Sequence, residues 1–231
     1  MSGPHGVSCI IPAYNEGARI AGVLSCVVDH PAIAEVIVVD DGSSDDTAAV
    51  AAGFSGVNLI RQPSNGGKTA ALATGLRWST GPLILLLDAD LSGLRPSDID
   101  ALLDPVLNGS AEMSISLRSN APLVWRLIGL DYISGERAMR KDLLAGHLDR
   151  LSGLPRFGFE VFLNAIMVRG DLPLAVVAWP GVRNQLKNRK YGIWRGIQGD
   201  LNMIADLFRS FGPHDLLRQI IRMRRLRVTC P

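Results

Sequence analysis

Cysteine is scarce in this chain, and its three copies, Cys9, Cys26 and Cys230, lie far apart with no CxxC pair and no metal-like spacing. That excludes a disulfide framework and a zinc site, and it fits a reducing cytosol. With four histidines in all, no histidine-rich metal centre competes with carboxylates. Charge of one sign is lacking too. Lys and Arg number 24 against 22 Asp and Glu, a net charge of +2, so nucleic acid is not an expected partner, although the chain turns basic after Arg183. No apolar run approaches the roughly 20 residues of a membrane span, because PLILLLDADL meets Asp88 after a few positions. The opening MSGPHG has no charged segment followed by an apolar one, so no secretion signal is expected.

What remains is an ordinary globular composition, 47% hydrophobic and 20% charged over 231 residues, enough for one sizeable core with a small C-terminal appendage. The first half alternates short β-branched runs with helical segments, the pattern of βαβ units around a largely parallel sheet. Strands are expected near Val7–Pro12, Glu35–Asp40, Val57–Arg61 and Pro82–Asp88, with helices near Glu16–Asp29, Asp45–Ala52 and Gly67–Ser79. Pro96-Ser97-Asp98 opens a further helix through Leu107, and Glu112–Arg118 reads as a strand. Leu123–Arg150 is expected to be mainly helical, Phe159–Val168 a helix, Leu174–Trp179 a strand, and the chain from Lys187 onward two helices divided by Gly212-Pro213.

Several strand ends deliver polar groups where a parallel sheet binds ligands. In VIVVDDGSSDDT, an apolar strand carries Asp40 and Asp41 into a Gly-Ser turn; the same segment reads equally well as a strand end followed by helix caps. IIPAYNEG offers Pro12, Ala13, the flat face of Tyr14 and the carboxylate of Glu16, a set suited to a base and a ribose; it reads equally well with Asn15 capping the next helix and Tyr14 packed on the sheet. In NGGKTAA, Gly66 and Gly67 permit close backbone approach, and Lys68 at a helix start reads either as a diphosphate contact or as a solvated first-turn lysine; the leading glycine of a P-loop is missing. LILLLDADL places Asp88 and Asp90 two residues apart, on one side of an extended segment. Such a pair suits Mg²⁺ or Mn²⁺, which take hard oxygen ligands and share their shell with phosphates.

Together, IIPAYNE, VIVVDDGSSDDT, NGGKTAAL and LLLDADL resemble, in order and spacing, the nucleotide-binding half of a family 2 glycosyltransferase with the GT-A fold, over roughly residues 7–118. The resemblance implies a single α/β domain over 1–231, with a Rossmann-like, mostly parallel sheet flanked by helices and a C-terminal helical extension. Its donor half would span about 1–118, its acceptor side about 119–190 and its terminal helices about 191–231. It further implies a nucleotide-diphosphate-sugar donor, most simply UDP-glucose, a divalent cation, and inversion at the anomeric carbon. By position, Pro12, Ala13, Tyr14 and Glu16 would surround the nucleoside, Asp40 or Asp41 would contact the base, and Gly67 and Lys68 would lie near the nucleotide. Asp88-Ala89-Asp90 is similar to the family's DxD motif, with Asp90 as the direct metal ligand.

Beyond Asn120 the pattern weakens. Glu160, alone among apolar neighbours in LPRFGFEVFLN, is the candidate general base, and pairing with Arg156 or Arg137 is the structural alternative. Ser134, Gly135 and Arg137 are candidate contacts on the acceptor side. Where the family often has a loop histidine completing the metal or diphosphate site, this chain has Asn184, followed by the candidate phosphate clamps Lys187, Arg189 and Lys190. The tail HDLLRQIIRMRRLRVTC reads as a basic amphipathic helix, either packed on the domain or lying on an anionic membrane. The expected partners are thus a UDP-sugar and a hydroxyl or lipid-phosphate acceptor, in the cytoplasm or at the inner face of a membrane. A nucleotidyltransferase and a non-catalytic sugar-nucleotide-binding protein are the alternatives. The first of these would want a Gly-rich basic loop after the first strand, and PAYNEG is not one.

Overall fold

The structure, a computed structural model, describes residues 6–151, 153–155, 157–184 and 211–228. Its main sheet has eight strands: β1 (Val7–Ala13), β2 (Ile33–Asp40), β3 (Val57–Arg61), β4 (Leu83–Leu86), β6 (Met113–Arg118), β7 (Arg137–Arg140), β8 (Leu174–Trp179) and β10 (Arg227–Val228). They lie in the order β10-β8-β6-β7-β4-β1-β2-β3. Every pairing is parallel except those of β7, which runs antiparallel to β4 and β6. A separate two-stranded ribbon joins β5 (Leu91–Ser92) to β9 (Arg183–Asn184).

Helices cover both faces, as a parallel sheet requires. On one face α1 (Gly17–Val27) and α4 (Pro96–Leu107) pack Ile20, Leu24, Leu102 and Leu103 against Cys9 and Ile11 of β1. On the other, α3 (Lys68–Trp78) and α7 (Gly158–Gly170) pack Leu72, Leu76, Leu163 and Met167 in the cluster that holds Ile10. The alternation of β1 side chains between two buried clusters follows from the pleat and explains why its sequence is apolar but for Ser8, whose hydroxyl bonds to Glu35. Short helices α2 (Thr47–Ala52), α5 (Leu123–Ile128) and α6 (Leu148–Leu151) fill connections, and α8 (Pro213–Arg225) leads into β10.

The first-half elements fall where the periodicity places them, within a few residues. Leu123–Arg150 does not: only α5, a 3-10 turn over Lys141–Leu144 and α6 are helical, and Arg137–Arg140 is strand β7, inserted between β4 and β6. Sheet pairing on both edges, four residues against β4 and three against β6, outweighs the helical propensity of ERAMRKDLL, since long-range ladders override weak local preference. The first of the two C-terminal helices expected after Lys187 lies outside the described residues, as do Arg156, Lys187, Arg189, Lys190 and Cys230.

Candidate active site

At the C-terminal ends of β1, β2 and β4 a cavity of about 420 Å³ brings together Pro12, Ala13, Tyr14, Glu16, Asp41 and Lys68 with Asp88, Ala89, Asp90 and Asn184. Residues from four separate motifs therefore share one surface. Gly67 lines a second cavity of about 490 Å³, with Gly135, Arg118, Phe157 and Glu160. The two meet at Lys68, Asp88 and Asn184, which line both. A larger, apolar cavity of about 710 Å³ sits at the opposite end of β4, between Pro82, Leu107 and Leu144, and contains none of the motif residues.

Asp40 and Asp41 divide their work. Asp40 is buried beneath the loop: its carboxylate accepts from the Ser43 N–H at 3.0 Å and lies 3.6 Å from Arg61, and it does not line the cavity. Asp41 lines it and also accepts from the N–H groups of Gly66 and Gly67, both at 2.8 Å. Gly67 has φ 87°, a conformation in which a side chain is strained, and its N–H aims at Asp41 from the start of α3. The rest of GSSDDT fastens the loop after β1. Ser43 Oγ accepts from the Asn15 N–H (2.9 Å), Asn15 Oδ1 from the Ser44 N–H (2.9 Å), and Thr47 Oγ1 from the Glu16 N–H (2.8 Å). Neither Asp46 nor Glu16 makes a side-chain cap bond at the helix it precedes; the Asp45 carboxylate instead accepts from the first N–H of α2, at Thr47 (3.0 Å), and from the first N–H of α1, at Gly17 (3.1 Å).

The segment after β4 is not extended. The strand ends at Leu86, and Ala89 and Asp90 form a turn that still leaves Asp88 and Asp90 on the same cavity. Burial pushes the Asp90 carboxyl up to about 6, and the charges of Asp88, Glu16 and Glu136 push the same way. For Asp88, burial acts upward but the Lys68 ammonium, 2.6 Å away, and a hydrogen bond from Asn184 hold the carboxyl below its ordinary value. Lys68 reaches 3.5 Å from Glu160 on its other side, and these two acids keep its ammonium above the ordinary lysine range despite desolvation. Gly135 makes this packing feasible: a Cβ there would stand 2.6 Å from Asp88 Oδ1 and press on Lys68 Nζ as well.

A divalent cation fits this surplus of negative charge, which is visible in Asp90. Among the described residues no group of three or more His, Cys, Asp or Glu side chains could hold a metal alone. Two carboxylates with phosphate oxygens and water completing the shell is the arrangement typical of Mg²⁺ or Mn²⁺ beside a diphosphate. The pairing of Asn184 with Leu91 across the β5–β9 ribbon sets Asn184 next to Asp90 in register, and its Oδ1 is buried without a hydrogen-bond partner. A hard oxygen thus stands at the position where Asn184 departs from the histidine pattern.

Glu160 lies in the first turn of α7, buried; Lys68 is its ion-pair partner among the described residues, and its charge also acts on the buried Arg137. Arg137 is fully buried and donates to the carbonyls of Ser134 (2.8 Å) and Tyr132 (3.1 Å) and to Asn164 Oδ1 (2.7 Å). Ser134 is equally buried, against Ser116 and Glu136; of the three acceptor-side candidates only Gly135 reaches a cavity. Sequence reasoning missed Arg118, which ends β6 as Asp40 ends β2. It lines the second cavity, held 3.3 Å from Glu136 and 3.6 Å from Asp131, and those acids raise its proton affinity although burial opposes them. The strand-end rule that drew attention to the aspartates applies to it equally.

Comparison with known proteins follows the same lines. The family model described as Glycosyl transferase family 2 matches residues 8–161. A dolichyl-phosphate beta-glucosyltransferase of Trichomonas vaginalis is 39% identical over 94 residues, 35% of this chain and 28% of that protein, so the chain matches under a third of its length. An uncharacterized protein of Methanocaldococcus jannaschii is 32% identical over 177 residues, 71% of this chain and 68% of that one. The glucosyl-3-phosphoglycerate synthase of Mycobacterium tuberculosis, crystallised with Mn²⁺ and UDP-glucose, is similar in fold, with a TM-score of 0.69 at 24% identity over 90% of this chain and 79% of that chain.

Proposed function

The chain belongs to glycosyl transferase family 2, and on that premise we propose that it transfers a hexose from a UDP-sugar, most simply UDP-glucose, to a hydroxyl or lipid-phosphate acceptor, with Mg²⁺ or Mn²⁺ and with inversion. One observation carries the reading: a carboxylate-lined cavity and a second cavity containing Glu160 meet at Lys68 and Asp88, so a donor and an acceptor would touch there. The Mn²⁺ and UDP-glucose bound by the similarly folded synthase, and the dolichyl phosphate named for the Trichomonas relative, support the same substrate classes.

In this reading Tyr14 and the Pro12-Ala13 backbone cover the base, and Asp41, rather than the deeper Asp40, accepts from it. Glu16 takes the ribose hydroxyls. Asp90 and Asp88, with Asn184 Oδ1 alongside, would hold the cation. When bound, that ion supplies neutralisation of the charge that grows on the leaving diphosphate. Lys68 contributes a fixed positive charge at the same junction. The acceptor oxygen forms its bond to the anomeric carbon as the bond from that carbon to the diphosphate oxygen breaks and UDP leaves. With a hydroxyl acceptor, the proton goes to Glu160. A lipid-phosphate acceptor would bring the chain to the inner face of a membrane, with the basic C-terminal helix as the contact.

The test is release of UDP from UDP-glucose in the presence of Mn²⁺, with and without acceptor extracts. Asp90→Ala is expected to abolish both hydrolysis and transfer; undiminished turnover in that variant would contradict the assignment.

A further inference from the structure

Four of the six large apolar side chains exposed among the described residues sit in two pairs, Leu123 and Leu127 on α5 (63% and 79% exposed) and Leu217 and Ile221 on α8 (57% and 46%). Each pair has i, i+4 spacing, so each forms a stripe along one side of its helix. On α5 the opposite side buries Trp125; on α8 it buries Leu216 and Met223. The stripes are therefore additional to the faces that hold these helices to the core. Arg224 continues the α8 stripe one turn on, Arg218 and Arg225 flank it, and Arg126 is exposed on α5. The acids nearby in sequence or contact are few: Asp215 on α8, and Asp171, which pairs with Arg222 at 3.5 Å.

The end of α5 and the loop after it touch α8 and its exit. Arg227, just past α8, packs against Gly129 at the end of α5, and Tyr132 Oη donates to Gln219 of α8 at 2.8 Å. The loop between those contacts continues directly to Ile133 and Gly135, which line the Glu160 cavity. We propose that α5 and α8 form one docking surface for an anionic phospholipid bilayer. Leucine and isoleucine enter the headgroup boundary, the arginines meet lipid phosphates, and the Glu160 cavity is held beside the lipid surface. Charge selects this occupant: apolar pairs beside Arg126, Arg218, Arg224 and Arg225, which have no ion-pair partner among the described residues, match an acyl layer under a sheet of anions. The proposal deepens the reading of a lipid-side acceptor and rests on it for its purpose, while binding itself is measured without sugar transfer.

The experiment is flotation of the full chain with vesicles of phosphatidylcholine alone or of equimolar phosphatidylcholine and phosphatidylglycerol, at low and high salt. The wild-type chain is expected to float with the anionic vesicles only and to be released by salt. Leu217→Glu/Ile221→Glu, Leu123→Glu/Leu127→Glu and Arg224→Glu/Arg225→Glu should each weaken flotation by about tenfold or more. Circular dichroism and Mn²⁺-dependent UDP binding report whether each variant is folded, since none of these residues lines the donor cavity. Absence of flotation, equal flotation with neutral vesicles, or full flotation of the α5 variant would overturn the two-helix surface. So would a dimer in solution that Leu217→Glu dissociates while vesicles are ignored, which would make a second copy the occupant. Loss of flotation with UDP binding intact defeats this proposal alone; flotation without UDP binding defeats only the donor-site reading.

Discussion

Asp90 is ionised at neutral pH against the combined push of burial and three neighbouring carboxylates, which raise its carboxyl from 3.8 to about 6. The folded state therefore binds a proton more tightly than the unfolded chain, and the contribution of this residue to stability falls as pH rises through that interval and stays reduced above about 6. Asp90→Asn removes the penalty, so without metal it should stabilise the fold by about 1 kcal/mol at neutral pH once solvent screening is discounted. The gain should shrink toward pH about 4, and thermal unfolding at the two pH values measures it. The same proton competes with a cation, so Mn²⁺ affinity should fall as pH drops below about 6. Glu160 is tested by kinetics: Glu160→Gln should lower kcat with a hydroxyl acceptor by roughly 10²–10⁴-fold while leaving UDP affinity unchanged. A loss confined to KM would instead make it a binding residue.

At the scale of elements, the site depends on loops held to one another. Gly67 joins the NGGK loop to Asp41 at a φ of 87°, and Gly67→Ala should cost about 1–3 kcal/mol and weaken UDP binding together, seen by denaturant unfolding and calorimetry on one preparation. Leu102→Ala, in the α4 layer beneath β1, should cost about 2–5 kcal/mol yet leave UDP affinity unchanged, because it empties the core without touching a loop. The sheet half of the fold was legible because the buried parts of β1, β2 and β4, such as residues 36–39 and 84–86, read as apolar runs that end in polar turns. Strand β7 was not, since Arg137 and Arg140 interrupt its apolar pattern and its partners are distant in sequence. Nor were β5 and β9, two residues each, which have no period to read but which bring Asn184 beside Asp90. The roles of Asp40 and Asp41 were inseparable for a similar reason: which carboxylate turns inward depends on the Ser43 and Gly66-Gly67 N–H groups of two different loops.

Across the whole molecule, one sheet carries the carboxylate-lined cavity at the ends of β1, β2 and β4, and β7 inserts between β4 and β6 so that Gly135, Arg118 and the first turn of α7 close on Lys68 and Asp88. On the proposed reading the acceptor would meet residues from the less patterned part of the chain, and transfer would take place where the two cavities meet. The central claim is that Asp88 and Asp90 make nucleotide binding depend on a divalent cation. Calorimetric titration of the full chain with UDP, with and without Mn²⁺, in wild type and Asp90→Ala, tests it most directly. The expected result is binding at least about tenfold tighter with Mn²⁺ in the wild type, with that dependence lost in the variant. UDP affinity that ignores Mn²⁺ in the wild type, or Mn²⁺ dependence that survives in Asp90→Ala, would contradict the claim.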